Sequence, residues 1–396
     1  MKRVYPESQP LAKPARDFAG ELDELCRTKV AELVQAYLEA EVDELLGRLR
    51  YERCDGKRQG FRDGHDPERT VTSSVGPLAI RRPRVRGVAH VSTLIPKFRR
   101  RLPSIDKTIH QLWIEGLAHR DFEPTLRGLL GVEAPLSSST IARVNAEFGA
   151  EFDAWKRRRF ESEHFVYLWV DGIHLGAGPA DERRVLLVVI GADVNGTKHL
   201  VALDEAMSES ELSWTELFED LKRRGLRAPR LLIADGANGL WAAAGKALPD
   251  TQQQRCWLHK VRNVLDKVPE KHQPRVHSDL RSIVNAPNEA TAREQIETLA
   301  QSLQRDYPKA AACIRDDIDR MVTFFRFPPE SWKSLRTTNP IESIFASVRI
   351  RTDAAKRLRT GTSATYLVFK LIQRLSGSWR KINGYKAITL EIAAAA

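Results

Sequence analysis

The chain has few cysteines and no long apolar run among its 396 residues. Its four cysteines, Cys26, Cys54, Cys256 and Cys313, are widely spaced and form no C-x-x-C pair, which favours a reducing cytoplasm over a disulfide framework. No apolar run approaches the roughly 18 residues that a membrane span needs. The N-terminal stretch MKRVYPESQP lacks the apolar core of a signal peptide. We therefore expect a cytoplasmic protein.

Basic residues outnumber acidic ones in the composition. Lys and Arg number 63 against 52 Asp and Glu, which gives a formal net charge of +11 and an isoelectric point near 9.5. Such an excess favours a polyanionic partner, either a nucleic acid or an anionic membrane surface. Because no membrane-spanning run is present, we expect the partner to be a nucleic acid.

The most basic stretch has no acidic residue at all. Residues 81–101, RRPRVRGVAHVSTLIPKFRRR, contain eight Lys or Arg. Because this run cannot neutralise itself by internal ion pairing, phosphate is its natural counter-charge, although a solvated basic loop is the alternative. The DNA-binding residues predicted here are Arg81, Arg82, Arg84, Arg86, Lys97, Arg99, Arg100 and Arg101.

The remainder of the first 160 residues is predicted to be mainly helical. Residues 17–50 carry apolar side chains at helical spacing, residues 51–70 predict a loop, and the stretch around Gly76 predicts a short hairpin. Two helices joined across GVEAPLSSST could form a helix-turn-helix in which the helix from Ser139 enters a DNA groove. Arg143 lies near the start of that helix, but many ordinary helical hairpins have the same pattern.

Strand-like runs begin after residue 163. HFVYLWVDGIHL, RRVLLVVIGADVNG and TKHLVALDEA predict three successive strands, and a helix, a strand, a helix and a fifth strand follow. This order predicts an α/β layer around a mixed sheet. Residues 259–332 are mostly helical and charged.

Three acidic residues occupy comparable positions in this pattern. Asp171 and Asp235 each follow an apolar strand and precede a glycine, so we expect both at one edge of the sheet. Each could also belong to an ordinary Asp-Gly turn. With Glu342 they would form a group of carboxylates that repel one another unless divalent cations are shared between them. Oxygen ligands suit Mg²⁺ or Mn²⁺, and two such ions about 3.5–4 Å apart support phosphodiester chemistry.

Glu342 has a second interpretation. In LRTTNPIESIFASVRIRT, Asn339 is predicted to cap a helix with Pro340 in its first turn, and Glu342 can then reach back to the cap. The surrounding basic residues favour a role near phosphate. Those predicted to bind DNA phosphate are Arg336, Arg349 and Arg351, with Arg349 best placed because it lies two turns beyond Glu342.

The chain resembles the DDE transposases of the bacterial Mutator-type insertion-sequence family. The resemblance covers roughly residues 15–390 and is carried by YLWVDGIHL, ADGANGLWAA, QRCWLHKVRNVLDKVP, RTTNPIESIFASVRIRT and WRKINGY. It implies an α/β fold with a ribonuclease-H-like catalytic core and a helical insertion, preceded by a mainly helical DNA-binding region. It also implies cleavage and joining of double-stranded DNA at transposon ends and target, by a homodimer or larger homo-oligomer.

The resemblance also implies roles for particular residues. Asp171, Asp235 and Glu342 take the places of the family's two aspartates and glutamate, and would bind two Mg²⁺ or Mn²⁺ ions. Cys256 and His259 match the family's Cys-x-x-His element and are expected beside the active site. The alternative function is a DNA-binding regulator or scaffold whose ribonuclease-H-like core is inactive.

The histidines that follow Cys256 raise the possibility of a zinc site. Cys256, His259, His272 and His277 have the spacing C-x₂-H-x₁₂-H-x₄-H, which is close to a zinc-finger pattern. Pro269 breaks the intervening helix, however, and nothing in the sequence returns the later histidines to Cys256. We therefore expect no structural zinc.

These patterns predict five segments along the chain. They are an arm and helical segment that could serve dimerisation (1–50), a basic and helical DNA-binding region (51–160), the first part of the core (161–258), a helical insertion (259–332) and the completion of the core (333–396).

Overall fold

The computed structural model describes residues 17–52, 59–97, 99–115, 117, 121–130, 138–174, 185–354 and 361–388. The chain divides into two compact units, and each is described by itself. The first comprises Met1–Trp113 and His119–Ile141, and the second comprises Ile114–Ala118 and Ala142–Ala396. Within the described ranges, no helix combines the length and the apolarity that crossing a membrane requires.

The first unit contains helices and short antiparallel strands. Its helices are α1 (Phe18–Leu46), α2 (Pro103–Ile114) and α3 (Phe122–Leu130), and its strands are β1 (Phe61–His65), β2 (Arg69–Ser73), β3 (Gly76–Ile80) and β4 (Pro83–Arg86). The predicted hairpin is confirmed, because β2 pairs with β3. The expectation of a loop over 51–70 is wrong for β1, which pairs antiparallel with β4. FRDGH lacks β-branched residues, so the distant partner strand determines its conformation.

The long N-terminal helix is confirmed, and one of its faces is buried. Asp17 caps α1 by accepting a hydrogen bond from the Gly20 N–H at 3.1 Å, and Gly47 ends the helix in the left-handed conformation. The buried face shares a hydrophobic core with the hairpin, formed by Val34, Leu38, Val71, Leu78, Ile80 and Ile95.

The second unit consists of a sheet, its covering helices and a helical insertion. Its strands are β5 (Phe165–His174), β6 (Val185–Asp193), β7 (Lys198–Ala206), β8 (Leu231–Ala234) and β9 (Gln252–Arg255). The helices around the sheet are α4 (Ser138–Lys156), α5 (Glu211–Arg223), α6 (Asn238–Ala247), α13 (Asn339–Ala354) and α14 (Gly361–Ser376). Those between β9 and α13 are α7 (Trp257–Leu265), α8 (Gln273–Val284), α9 (Glu289–Gln304), α10 (Pro308–Arg315), α11 (Ile318–Met321) and α12 (Trp332–Leu335).

The sheet is mixed, as the sequence predicts. Its strand order is β7-β6-β5-β8-β9, in which β7, β6 and β5 are antiparallel neighbours. β5 pairs parallel with β8, and β8 pairs parallel with β9. The long crossovers that parallel pairing needs are supplied by α5 and α6.

The two faces of β5 have different neighbours. Leu168 and Val170 belong to a buried cluster that includes Trp214 of α5 and Trp241 of α6. Because side chains alternate along a strand, Trp169 points to the opposite face, where its Nε1 donates to the Ser334 carbonyl at 3.2 Å. Asp171 shares the face of Trp169, which is the side nearer to the segment that leads into α13.

The position of Asp171 within its strand differs from the prediction. The sequence pattern predicts this residue at the end of the strand, but β5 continues to His174 and Asp171 pairs with Val188 of β6. The reason is that β6 is longer than β8. After β8 ends at Ala234, β5 continues with β6 as its partner.

The helical insertion is fastened to the sheet through the polar strand β9. Gln254 is fully buried, and its Oε1 accepts a hydrogen bond from the Phe324 N–H at 2.7 Å. Its Nε2 donates to the Met321 carbonyl at 3.1 Å, and Trp257 Nε1 donates to the same carbonyl at 2.9 Å. A glutamine in this strand therefore pairs buried backbone groups at the end of α11 and in the single 3₁₀ turn that follows it.

We expect Gln254→Leu to lower the free energy of unfolding by at least about 2 kcal/mol, because a buried backbone group left unpaired costs about 1–3 kcal/mol. Gln252→Leu is the matched control, since Gln252 lies in the same strand but is exposed. Urea denaturation of the two variants measures the difference. Equal midpoints for both variants would contradict this role of Gln254.

Candidate active site

Asp171 and Asp235 lie side by side just beyond the point where the pairing of β5 with β8 ends. The parallel ladder pairs Tyr167 with Leu231 and Trp169 with Ile233, and continuation of this register by two residues brings Asp171 level with Asp235. Asp171 Oδ1 accepts the Gly172 N–H at 2.9 Å. Asp235 Oδ1 accepts the Ala237 N–H at 3.0 Å, which forms a tight turn at the start of α6.

A third acid, which the sequence analysis missed, completes this group. Carboxylate oxygens of Asp171, Glu209 and Asp235 lie within 4.8 Å of one another. Glu209 lies in the turn between β7 and α5, directly before Ser210, which caps α5. The only available signal was an acid beside a serine cap, and that pattern is common at helix starts.

Glu342 lies at the start of α13 and has different close neighbours. Its carboxylate, the Cys256 sulfur and a ring nitrogen of His259 lie within 4.8 Å of one another. His259 Nδ1 is 3.6 Å from Glu342 Oε1. The charge of Glu342 also contributes to the raised pKa of Asp171, so the two carboxylates are within electrostatic reach of each other.

Thr338 holds Glu342 in place. The Thr338 hydroxyl lies 2.8 Å from Glu342 Oε1 and 3.2 Å from the Cys256 sulfur. Because the hydroxyl has one hydrogen, it donates to the carboxylate, which is the closer and stronger acceptor. The Thr338 N–H donates to Cys256 Sγ at 3.2 Å, which ties the start of α13 to the end of β9.

The predicted helix cap is shifted by one residue. The Thr338 carbonyl accepts the first helical hydrogen bonds, from the N–H groups of Ile341 and Glu342 at 2.9 and 3.0 Å. Asn339 is therefore the first helical residue rather than the cap that the sequence predicts. Thr338 is better suited to the cap because the buried Cys256 fixes its backbone.

Cys256 and His259 occupy the junction of β9 and α7. The Cys256 N–H donates to the Ala234 carbonyl at 2.7 Å, directly beside Asp235. Burial raises the pKa of the Cys256 thiol, so the sulfur keeps its proton at neutral pH. A protonated thiol acts here as a hydrogen-bonding and packing group.

The later histidines are separate from this pair. The His272 ring lies 6.0 Å from the ring of Tyr307, measured between centroids. Within the described part of the chain, the group of metal-binding side chains that contains Cys256 and His259 has Glu342 as its third member, not His272 or His277. The zinc-finger spacing in the sequence therefore has no counterpart in this group.

Burial and like charges perturb the three-acid group. The pKa of Asp171 is raised to about 8, first by burial and then by the charge of Asp235, with smaller contributions from Glu209 and Glu342. Burial and the Asp235 charge also raise the pKa of Glu209, while His174, at 3.2 Å from Glu209 Oε1, lowers it. Three oxygen-donor side chains with unfavourable mutual repulsion fit a hard divalent cation such as Mg²⁺ or Mn²⁺.

Acids outside the basic run neutralise part of it. Arg82 Nε lies 2.9 Å from Asp66 Oδ2. Arg99 and Arg101 both pair with Asp106. The expectation that the run depends on phosphate for its counter-charge overlooked these partners, which the fold brings from flanking segments. The exposed members are Arg81, Arg84, Arg86, Lys97 and Arg100.

The remaining predicted DNA-binding residues lie in different surroundings. Arg143 is exposed on α4 and lies 3.9 Å from Glu147. Arg336 Nη1 donates to the Val284 carbonyl at 2.8 Å and therefore attaches the end of α8 to the segment before α13. Arg349 is exposed, with its guanidinium over the ring of Phe345. The side chain of Arg351 lies outside the described residues.

Comparison with known proteins assigns the chain to a family of transposases. Residues 7–382 match the model of the Mutator family of transposases, and the chain belongs to this family. It is 40% identical, over 279 residues, to the transposase of insertion sequence element IS6120 from Mycolicibacterium smegmatis, covering 70% of this chain and 86% of that protein. It is 29% identical, over 362 residues, to the transposase of ISRM5 from Rhizobium meliloti, covering 91% and 89% of the two chains.

Asp171 makes the stability of the metal-free protein depend on pH. The folded carboxyl keeps its proton up to about pH 8, whereas the unfolded one ionises near its ordinary pKa of 3.8. The native state therefore binds more protons between these values, and its stability falls as the pH rises. Asp171→Asn removes this ionisation, so we expect it to flatten that decline.

At pH 8 in a chelator, we expect Asp171→Asn to raise the free energy of unfolding by at least about 2 kcal/mol, because one pKa unit corresponds to about 1.4 kcal/mol. Thermal melts from pH 5 to pH 8 measure this effect. Glu211→Gln, which changes a partly exposed acid nearby that pairs with Lys246, is the control. If stability falls with pH equally in the wild type and in Asp171→Asn, the Asp171 carboxyl does not have the raised pKa that its burial predicts.

Proposed function

We propose that the chain is a DDE-type transposase with a ribonuclease-H-like core, which binds the terminal inverted repeats of an insertion sequence and carries out metal-dependent strand cleavage and strand transfer. The observation that carries the proposal is the convergence of Asp171 and Asp235 at the parting of two parallel strands, with Glu342 within electrostatic reach. The mixed strand order with a helical insertion after its last strand supports such a core.

Mg²⁺ or Mn²⁺ is the proposed cofactor, with two ions per active site. When bound, such ions activate the attacking water or 3′-hydroxyl and stabilise the leaving oxygen of the phosphodiester. Asp171, Asp235 and Glu342 are the residues that would hold them. Thr338 orients the Glu342 carboxylate through the 2.8 Å hydrogen bond. His259, whose Nδ1 lies 3.6 Å from Glu342 Oε1, would orient a DNA phosphate beside this carboxylate.

We expect Asp171→Asn, Asp235→Asn and Glu342→Gln each to reduce strand cleavage by about 1,000-fold or more, because each removes a negative ligand whose ion stabilises the transition state. DNA binding without metal should persist. A nicking assay on end-sequence DNA with Mg²⁺, beside a binding assay in chelator, measures both quantities.

Two controls define the outcome of that experiment. His272→Ala and His277→Ala should cut at the normal rate, because both lie outside the group around Glu342. If Glu342→Gln also cuts DNA at the normal rate, the role of Glu342 is limited to stabilising the start of α13. If wild-type protein binds end DNA but never cuts it with any divalent ion, the alternative of an inactive regulator or scaffold replaces the proposed function.

Residues 1–160 are proposed to recognise the transposon ends. The exposed arginines of the 81–101 run would contact phosphates, and the helices over 121–150 would contact bases. Arg82, Arg99 and Arg101 have internal acidic partners, so we expect the exposed members to dominate the phosphate contacts.

We expect the combined change of Arg81, Arg86 and Arg100 to Ala to reduce the slope of log affinity against log salt by about 2–3, because each lost phosphate contact removes about 0.9. The change of Arg223 and Arg227 to Ala, two exposed residues at and just after the end of α5 in the second unit, is the control. Fluorescence anisotropy at several salt concentrations gives the slope. An unchanged slope would exclude this run from the DNA interface.

Pairing of two DNA ends requires more than one catalytic chain, and α1 offers a surface for a second copy. Its buried side packs on the hairpin. On another side, apolar side chains at helical spacing are each more than half exposed, namely Phe18, Leu22, Leu25, Leu33 and Tyr37. We propose that a homodimer or larger assembly covers this stripe.

A further inference from the structure

Glu209 enters the candidate site through a gap that a glycine leaves open. A Cβ atom at residue 172 would collide with the carboxylate carbon and Oε1 of Glu209. Glycine weakens a strand interior, and in such a position it marks the close approach of another group. Gly172 lies inside β5 beside Asp171, so the group admitted at this point is the carboxylate of Glu209.

A second glycine places the segment that carries Glu209. A Cβ atom at Gly239 of α6 would lie 2.8 Å from the backbone nitrogen of Glu211. The start of α5 therefore packs directly against the first turn of α6, which follows Asp235. Ser210 fixes the same turn by accepting the Ser213 N–H at 3.2 Å. The backbone of the Glu209 segment is thus held from both sides.

The partners of Glu209 do not explain its position as a structural ion pair. Among the described residues, its cationic neighbour is His174, whose side chain is 70% exposed and is charged only when protonated. Its other close neighbours are the carboxylates of Asp171 and Asp235. A half-buried acid among two other acids is unfavourable unless a cation is shared. The described contacts of Glu209 therefore point to a metal ligand.

We propose that Glu209 is a further carboxylate ligand of the divalent ion held by Asp171 and Asp235, with Glu342 serving the second ion. This inference rests on the proposed metal-dependent function and deepens it. The mutual distances of at most 4.8 Å among the three carboxylates allow one ion to contact all three. Gly172 is a positioning residue in this arrangement, because it gives Glu209 access to the ion.

The test is direct measurement of Mn²⁺ binding to the full chain, from the electron paramagnetic resonance signal of free Mn²⁺. We expect Asp171→Asn and Glu209→Gln each to weaken binding at this site by about 10-fold or more, because each removes a charged ligand. Glu211→Gln, two residues away and paired on the surface with Lys246, should bind Mn²⁺ as wild type does.

Gly172→Ala provides an independent arm. It should weaken Mn²⁺ binding by displacing the Glu209 carboxylate, and it should add little to a chain that already carries Glu209→Gln, because the two changes act through one interaction. Full additivity of the two changes would overturn the role assigned to Gly172.

The outcomes separate this inference from the function on which it rests. If Asp171→Asn weakens Mn²⁺ binding while Glu209→Gln leaves it unchanged, the site stands and the ligand role of Glu209 falls. If Asp171→Asn also has no effect, the proposed metal site itself fails. In chelator, Glu209→Gln should melt no lower than wild type, since it relieves repulsion; a lower melting temperature would show a structural role instead and overturn the proposal.

Discussion

The candidate site depends on the parallel register between β5 and β8. This register brings Asp171 level with Asp235, although the two residues are far apart in the chain. It is maintained by apolar side chains, because a shift of one residue would move Leu168 and Val170 out of the core that they share with α5 and α6. Burial of the strand therefore holds two like charges together, and their repulsion makes the location suited to a cation.

The other side of the site depends on a neutral thiol. Cys256 follows β9, is fully buried, and receives the N–H of Thr338 at the start of α13. Thr338 in turn donates to Glu342. An acid that is distant in sequence is thereby attached to the strand edge that bears Asp235. Along the chain, the helical insertion connects Cys256 to Thr338. Gln254 in β9 and Trp257 at the start of α7 both donate hydrogen bonds to the Met321 carbonyl, which holds the later part of the insertion against β9.

The two Asp-Gly pairs of this site have the same sequence but different physical reasons for glycine. Gly236 has φ +107°, a conformation that L side chains rarely adopt, and a Cβ there would meet the Arg255 side chain. Gly172 has an ordinary strand conformation, and it is required because Glu209 occupies the space of a side chain. The turn after β8 explains why residue 236 is a glycine. Only the carboxylate of Glu209, which comes from a different segment, explains why residue 172 is one.

The sequence by itself determined the five strands of the mixed sheet, their order along the chain and the family, because apolar periodicity and the motifs around Asp171, Asp235 and Glu342 are local signals. It could not show that β5 continues past Asp171, since that depends on the length of β6. It also missed Glu209, the shift of the cap from Asn339 to Thr338, and the acids that partly neutralise the basic run. Each of these is decided by contacts between distant segments, which only the tertiary structure specifies.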